Sequence, residues 1–269
     1  MTIALLFAIL AAAPSTGSKQ GGVPSILVNP DTLVTSSSVS ISDLRNAARD
    51  VLELEGGHFG VAVKDFQTGE SFVETEGGTF DIGSPELIVC ACAIDLDRSG
   101  VMPLDTISSR NETIGDQIIM AREGNLEALT RITGRVQPDL IRPWLSQKGF
   151  SSTTFSGIQL YWPGAPQVEP NKSTPSDCMG MLSLIESRLD EAEIRRLVRN
   201  PFTRTDLEDL QGGSATLYGF SSRGLNAGEC RAAIVSMPGG RRVGIVVLAD
   251  DLCCAGKADV AFRMLWESL

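Results

Sequence analysis

Ser84 opens the stretch best suited to carry chemistry. Residues 79–97 read TFDIGSPELIVCACAIDLD: a strand end, a tight turn at Gly83, then an apolar helix. Pro85 at the first helical position and Glu86 in the first turn are helix-start signals. Positions 88–94 are almost wholly apolar, so protein should surround this helix on most sides. A serine at such a helix mouth has its hydroxyl beside backbone N–H groups that no helical carbonyl accepts. That placement suits a nucleophile, and it equally suits an ordinary N-cap.

Other reactive residue types are sparse. His58 is the single histidine, which weakens a Ser-His-Asp triad and excludes a site built from several histidines. It follows Gly56-Gly57 and reads as a surface or strand-edge residue. Six cysteines, Cys90, Cys92, Cys178, Cys230, Cys253 and Cys254, lack paired C-x-x-C spacing, so no zinc site, metal or other cofactor is implied. Cys90 and Cys92 lie inside the apolar helix, where thiols behave as small hydrophobes. The net charge of −10 argues against nucleic acid or an anionic membrane as partner.

The elements that position Ser84 can be read in order. Residues 2–13 (TIALLFAILAAA) fit the apolar core of a signal peptide over residues 1–13, which makes export to the periplasm or the extracellular space the expectation. No later stretch is long and apolar enough to span a membrane. Residues 14–40, rich in Ser, Thr, Gly and Pro, read as a linker. A helix follows with Leu44, Ala47, Ala48, Val51 and Leu52 on one face, then two strands joined through Gln67-Thr68-Gly69. After the Ser84 helix comes a helical middle, with helices over 116–121, 126–132 and 138–148. Residues 151–172 lack regular signals, and a loop of this length is often functional. Helices after Ser173-Thr174 and over 190–200 close the middle. Three strands over 214–222, 230–237 and 242–250, with a turn at Gly239-Gly240, precede a final amphipathic helix.

This order predicts an α+β fold, an α/β sandwich. Strands from both ends of the chain complete one five-stranded antiparallel sheet, flanking helices cover a face, and an all-helical lobe packs beside it. The sheet lobe draws on residues 41–80 and 210–269, the helical lobe on about 81–209. A ligand would bind in the cleft between them.

Layout and local motifs resemble the penicillin-recognising serine hydrolases, most nearly the class A β-lactamases, over residues 41–269. That family carries S-x-x-K, S-D-N and K-T-G elements. Ser84 takes the nucleophile position of the first, Glu123-Gly124-Asn125 resembles the second, and Leu217-Tyr218-Gly219 stands in the third place. The resemblance implies a β-lactamase/transpeptidase-like fold and a cleft lined by these segments.

The chemistry departs from the family's. Leu87 replaces the lysine of S-x-x-K, and no S-x-x-K occurs anywhere in the chain. Glu123 and Gly124 replace the serine and aspartate of S-D-N, leaving Asn125. Leu217 and Tyr218 replace the lysine and threonine of K-T-G, leaving Gly219. The Ω-loop Glu-x-x-Leu-Asn pattern is absent from residues 151–172. A serine hydroxyl is a weak nucleophile until a base takes its proton, and losing a general base costs about 10²- to 10⁴-fold. Glu123 could replace the base if it points into the cleft, or be a solvent-facing turn residue. Arg223 or Arg231 could replace the cation that holds a substrate carboxylate, and backbone N–H groups at Ser84 and near Ser221 could keep an oxyanion hole. Three readings follow. The first is a catalytically inactive protein that binds a peptide, a cell-wall fragment or a protein through Leu87, Leu217, Tyr218, Gly219, Ser221 and Arg231. The second is a divergent serine hydrolase using Ser84. The third is an exported scaffold.

Overall fold

The computed structural model describes residues 40–107, 111–122, 125–158, 169–198, 215–223, 228–250 and 255–269. The expected signal peptide and the linker up to residue 39 lie outside the described residues. Ser40, the last residue of the expected linker, caps the first described helix. Its hydroxyl accepts from the Asp43 N–H at 3.2 Å, and the Asp43 carboxylate accepts from the Ser40 N–H at 3.3 Å. This capping box satisfies two end groups at once and begins α1, Ile41–Leu52, whose buried face is Leu44, Ala47, Ala48 and Val51.

Strands β1 (His58–Asp65) and β2 (Ser71–Thr75) form the expected hairpin. The Asp65 carboxylate accepts from the Gln67 and Thr68 N–H groups at 2.8 and 3.0 Å, which shapes the turn. β3 (Phe80–Asp81) pairs with β4 (Lys172–Ser173) as a separate two-stranded ribbon. The C-terminal strands are β5 (Thr216–Arg223), β6 (Glu229–Ser236) and β7 (Arg242–Asp250). The main sheet runs β2-β1-β7-β6-β5, every neighbour antiparallel.

Side chains alternate across a strand, and this sorts two cores. Val61, Val63, Ile245 and Val247 face outward, where α1 and α8 (Lys257–Glu267) cover them with Leu44, Val51 and Phe262. Ala62, Phe220, Ala232, Val246 and Leu248 face inward, toward α2 (Glu86–Arg98) and α6 (Pro175–Arg188). α6, which the sequence places in the helical lobe, lies across the inner face against β1, β6 and β7 and also against α2. α3 (Ile114–Arg122), α4 (Leu126–Val136), α5 (Pro138–Gln147) and α7 (Glu191–Leu197) complete the helical part. Among the described residues no helix is long and apolar enough to cross a membrane.

α2 is the axis of the molecule: every residue from Glu86 to Asp95 is buried. An acid near the buried end of a helix needs partners, and Asp95 has three. Trp144 of α5 donates its ring N–H at 3.0 Å, the Lys148 ammonium lies at 2.7 Å, and the Arg188 guanidinium lies at 3.1 Å. Burial pushes the Asp95 carboxyl upward, but Lys148, Trp144 and Arg188 outweigh it and hold the group below the ordinary carboxylate range. A depressed carboxyl contributes stability that is present above its unfolded-state value and fades as pH falls through its folded-state value. Asp95→Ala should therefore lose about 3 kcal/mol at neutral pH. The gap between variant and wild type in thermal unfolding should narrow as the buffer is acidified.

Candidate functional site

The turn before Ser84 is built from backbone contacts. Gly83 has φ of 67°, a conformation that side chains disfavour. The Gly83 N–H donates to the Asp81 carboxylate at 2.8 Å, and the Gly83 carbonyl accepts from the Asn171 amide at 3.0 Å. The Ile82 N–H donates to the Asn171 carbonyl at 3.0 Å, and the Ile82 carbonyl accepts from the Ser222 hydroxyl at 2.6 Å. Asn171, fully buried, also donates to the Gly157 carbonyl and accepts from the Ser156 N–H, both at 2.9 Å. One asparagine thus joins the irregular stretch before β4 to the turn that presents Ser84.

Ser84 is not the cap of α2. Pro85 occupies the N-cap position, its carbonyl accepting from the Val89 N–H at 2.9 Å, and no side chain caps the helix. The helix therefore starts one residue later than the proline signal implies. The ordinary explanation for this serine falls away. Ser84 is half-buried and stands two residues before the buried Glu86. Glu86 is 9% exposed, and among the described residues its Oε2 has no hydrogen-bond partner. Burial pushes the Glu86 carboxyl up to about 7, only partly offset by the polar groups of Ser84 and its own backbone. In the sequence Glu86 registers only as a helix-start signal. The clue to more was a carboxylate heading a run that is otherwise apolar.

The other candidate residues separate by face. Leu87 is buried in the core around α2 at 3% exposure, so no cation stands where the S-x-x-K lysine would be. Leu217 was expected to form a cleft wall; it points to the outer face, opposite Val235 and among the residues under α1 and α8. Tyr218 does face inward and is buried. The Gly219 N–H donates to the carbonyl of Val198, the C-cap of α7, at 2.9 Å, so the chain itself occupies that part of the β5 edge. A Cβ on Gly219 would sit 2.0 Å from the Ala232 carbonyl oxygen, which explains why glycine stands there without invoking catalysis.

Ser221 pairs with Arg231 across the β5–β6 ladder and shares its outer side by alternation. Ser222, one residue on, is the serine that meets the Ser84 turn. Arg231 is 1% exposed and is not a cleft cation. Its Nε donates to Asp259 of α8 at 2.5 Å, and its Nη1 donates to the Ser222 and Cys230 carbonyls at 3.0 Å each. Arg223 is bound to Glu229 at 2.7 Å, and Glu229 in turn accepts from the Gly256 and Ala258 N–H groups at the start of α8. Both arginines therefore serve the packing of α8. Asn125 caps α4, its side-chain oxygen accepting from the Ala128 N–H at 3.0 Å. Glu123 lies outside the described residues. His58 begins β1, largely exposed and 3.7 Å from Asp250. Among the described residues no His, Cys, Asp and Glu cluster could hold a metal.

These elements define the class of protein: the fold is that of the class A β-lactamases. The structure is similar to that of a β-lactamase from Xanthomonas campestris pv. campestris at a TM-score of 0.66 and 15% identity, covering 84% of this chain and 95% of that one. It is similar to the chromosome-encoded β-lactamase of Vibrio parahaemolyticus at a TM-score of 0.65 and 15% identity, covering 83% and 97%. A reconstructed last common ancestor of Gram-negative class A β-lactamases gives 0.64 and 16%, covering 84% and 96%. No protein-family model matches the sequence, and no curated protein sequence matches it.

Two substitutions test the face assignments. Arg231→Ala leaves Asp259 as a buried charge without its partner and should destabilise by about 3–5 kcal/mol. Gly219→Ala forces a methyl group into a neighbouring strand and should cost at least about 1–3 kcal/mol. Urea unfolding checks both. Neither loss should be recovered by ligands of the cleft.

Proposed function

We propose that this protein is an exported member of the β-lactamase fold that has given up lysine-driven hydrolysis and uses the region around Ser84 to recognise a ligand. A peptide or a cell-wall fragment is the class of ligand that the fold suggests. The observation that carries this reading is the fate of the two lysine positions. Leu87 is sealed in the core and Leu217 is turned to the far side of the sheet. With no base from the first and no carboxylate-binding cation from the second, a β-lactam would be neither activated nor held. The two leucines do not plug the site, and Ser84 stays half-buried, which favours ligand binding over a purely structural scaffold.

A divergent serine hydrolase is the second reading, and a buried carboxyl group two residues from Ser84 favours it. Incubation of the purified protein with benzylpenicillin, followed by intact mass and substrate depletion, separates the two. The expected outcome is no turnover and no adduct. Rapid turnover that disappears in Ser84→Ala would overturn the first reading.

A further inference from the structure

We propose that the free edge of β2 is a docking strand for an extended, basic segment of a partner protein, which adds a further strand to the five-stranded sheet. This surface is separate from the Ser84 region. β2 and β5 are the two ends of the sheet, and it is β5 that meets the Ser84 turn.

The ladder fixes which backbone groups are free. The Asp65 N–H donates to the Glu70 carbonyl at 2.9 Å, and β1 and β2 continue in register from Lys64 opposite Ser71 to Gly60 opposite Thr75. Bonded and non-bonded pairs alternate along an antiparallel ladder. Phe72 and Glu74 therefore bond to β1, while the N–H and carbonyl groups of Ser71, Val73 and Thr75 point away from it. All three residues are exposed, and among the described residues no strand lies on that side. Neither a proline nor a bulge interrupts the edge, although such devices commonly close one. An open row of alternating donors and acceptors is a template for strand addition.

Charge selects the partner. Glu74, within the strand, is engaged by Arg45 and Arg49 of α1 at 3.4 and 3.7 Å, and Arg45 also lies over the Phe72 ring. Glu70 and Glu76, which flank the strand, are exposed. A second copy pairing antiparallel and centred on Val73 would set Glu70 against its Glu76. Centred on Phe72, it would set Glu70 against its Glu74. Like charges directly opposite each other are destabilising, so the edge disfavours self-association. Basic residues at those positions are attracted instead, and the net charge of −10 steers such a partner in.

Both ends of the edge run into clefts that hold carboxylates. One, of about 520 Å³, is lined in part by Ser40, Ser42, Glu70 and Ser71. The other, of about 400 Å³, is lined in part by Glu76, Gly77, Phe80 and Asp250. In an antiparallel partner the residues opposite Glu70 and Glu76 stand six positions apart. A Lys or Arg at each of these positions, with β-branched residues between, fits the edge and both clefts together.

The test uses the capped peptide Lys-Thr-Thr-Val-Thr-Thr-Lys and its counterpart with glutamate at both ends. Calorimetry reads affinity, and amide exchange followed by NMR locates the site. The lysine peptide should bind at least about tenfold more tightly than the glutamate peptide, weaken as salt rises, and slow exchange of the Ser71, Val73 and Thr75 N–H groups. Val73→Pro removes one outward donor without touching a bond to β1; it should stay folded and lose at least about tenfold in affinity. Glu70→Lys combined with Glu76→Lys should reverse the preference between the two peptides. No binding of the lysine peptide at millimolar concentration would overturn the proposal, as would equal binding of both peptides or protection away from β2. Unchanged preference in the doubly substituted protein would overturn it whether or not Val73→Pro folds. Dimers in sedimentation that vanish in Val73→Pro would also overturn it, because they assign the edge to a second copy.

Discussion

The rest of the structure depends on the burial of α2 from Glu86 to Asp95. A helix surrounded on all sides must carry apolar side chains around its circumference, and its polar groups are confined to its two ends. Both ends hold an acid. At the C-terminal side Asp95 draws in Trp144, Lys148 and Arg188, which ties α2 to α5, the turn after it, and α6. At the N-terminal side Glu86 has no such cage, and burial pushes its carboxyl up to about 7. One end of the buried run is thereby tied to two neighbouring helices, and the other is enclosed with less electrostatic support.

The second constraint is the alternation of strands. Arg231 and Leu217 sit on strands that border the Ser84 turn, and by chain position either could serve a ligand. Their parity sends them to the outer face, where Arg231 and Glu229 anchor the start of α8. Cys230, Ser222 and Tyr218 occupy the opposite parity and reach the side that holds α2. A single residue of register separates a cleft cation from a buried strut.

Fold and motif residues have parted in this chain. The sheet order, the central helix and the turn at Gly83 reproduce the layout of β-lactamases at about 15% identity, while the positively charged side chains of the family motifs are gone. Similar layouts survive because packing tolerates many apolar substitutions of suitable volume, whereas a base or a carboxylate-binding cation has no apolar equivalent. Gly219 illustrates the difference. It remains where the motif glycine stands because the neighbouring strand leaves no room for a Cβ.

Much of the architecture was determined by the sequence alone. The 3-4 spacing in α1, the Gln67-Thr68-Gly69 turn, the apolar run after Ser84 and the Gly239-Gly240 turn are local signals, and local signals set elements and their order. The loss of the lysines was also legible, since S-x-x-K occurs nowhere in the chain. Tertiary structure decided what local signals do not encode. Asn171 reaches the Ser84 turn from an irregular stretch 88 residues away in sequence, and no periodicity marks such a contact. Strand parity relative to the covering helices turned Arg231 and Leu217 away from the cleft. Glu86 read as an ordinary first-turn acid because its sequence position is favourable to the helix dipole. Only the packing of α6 and β6 around it removed its water, and with the water its ordinary acidity.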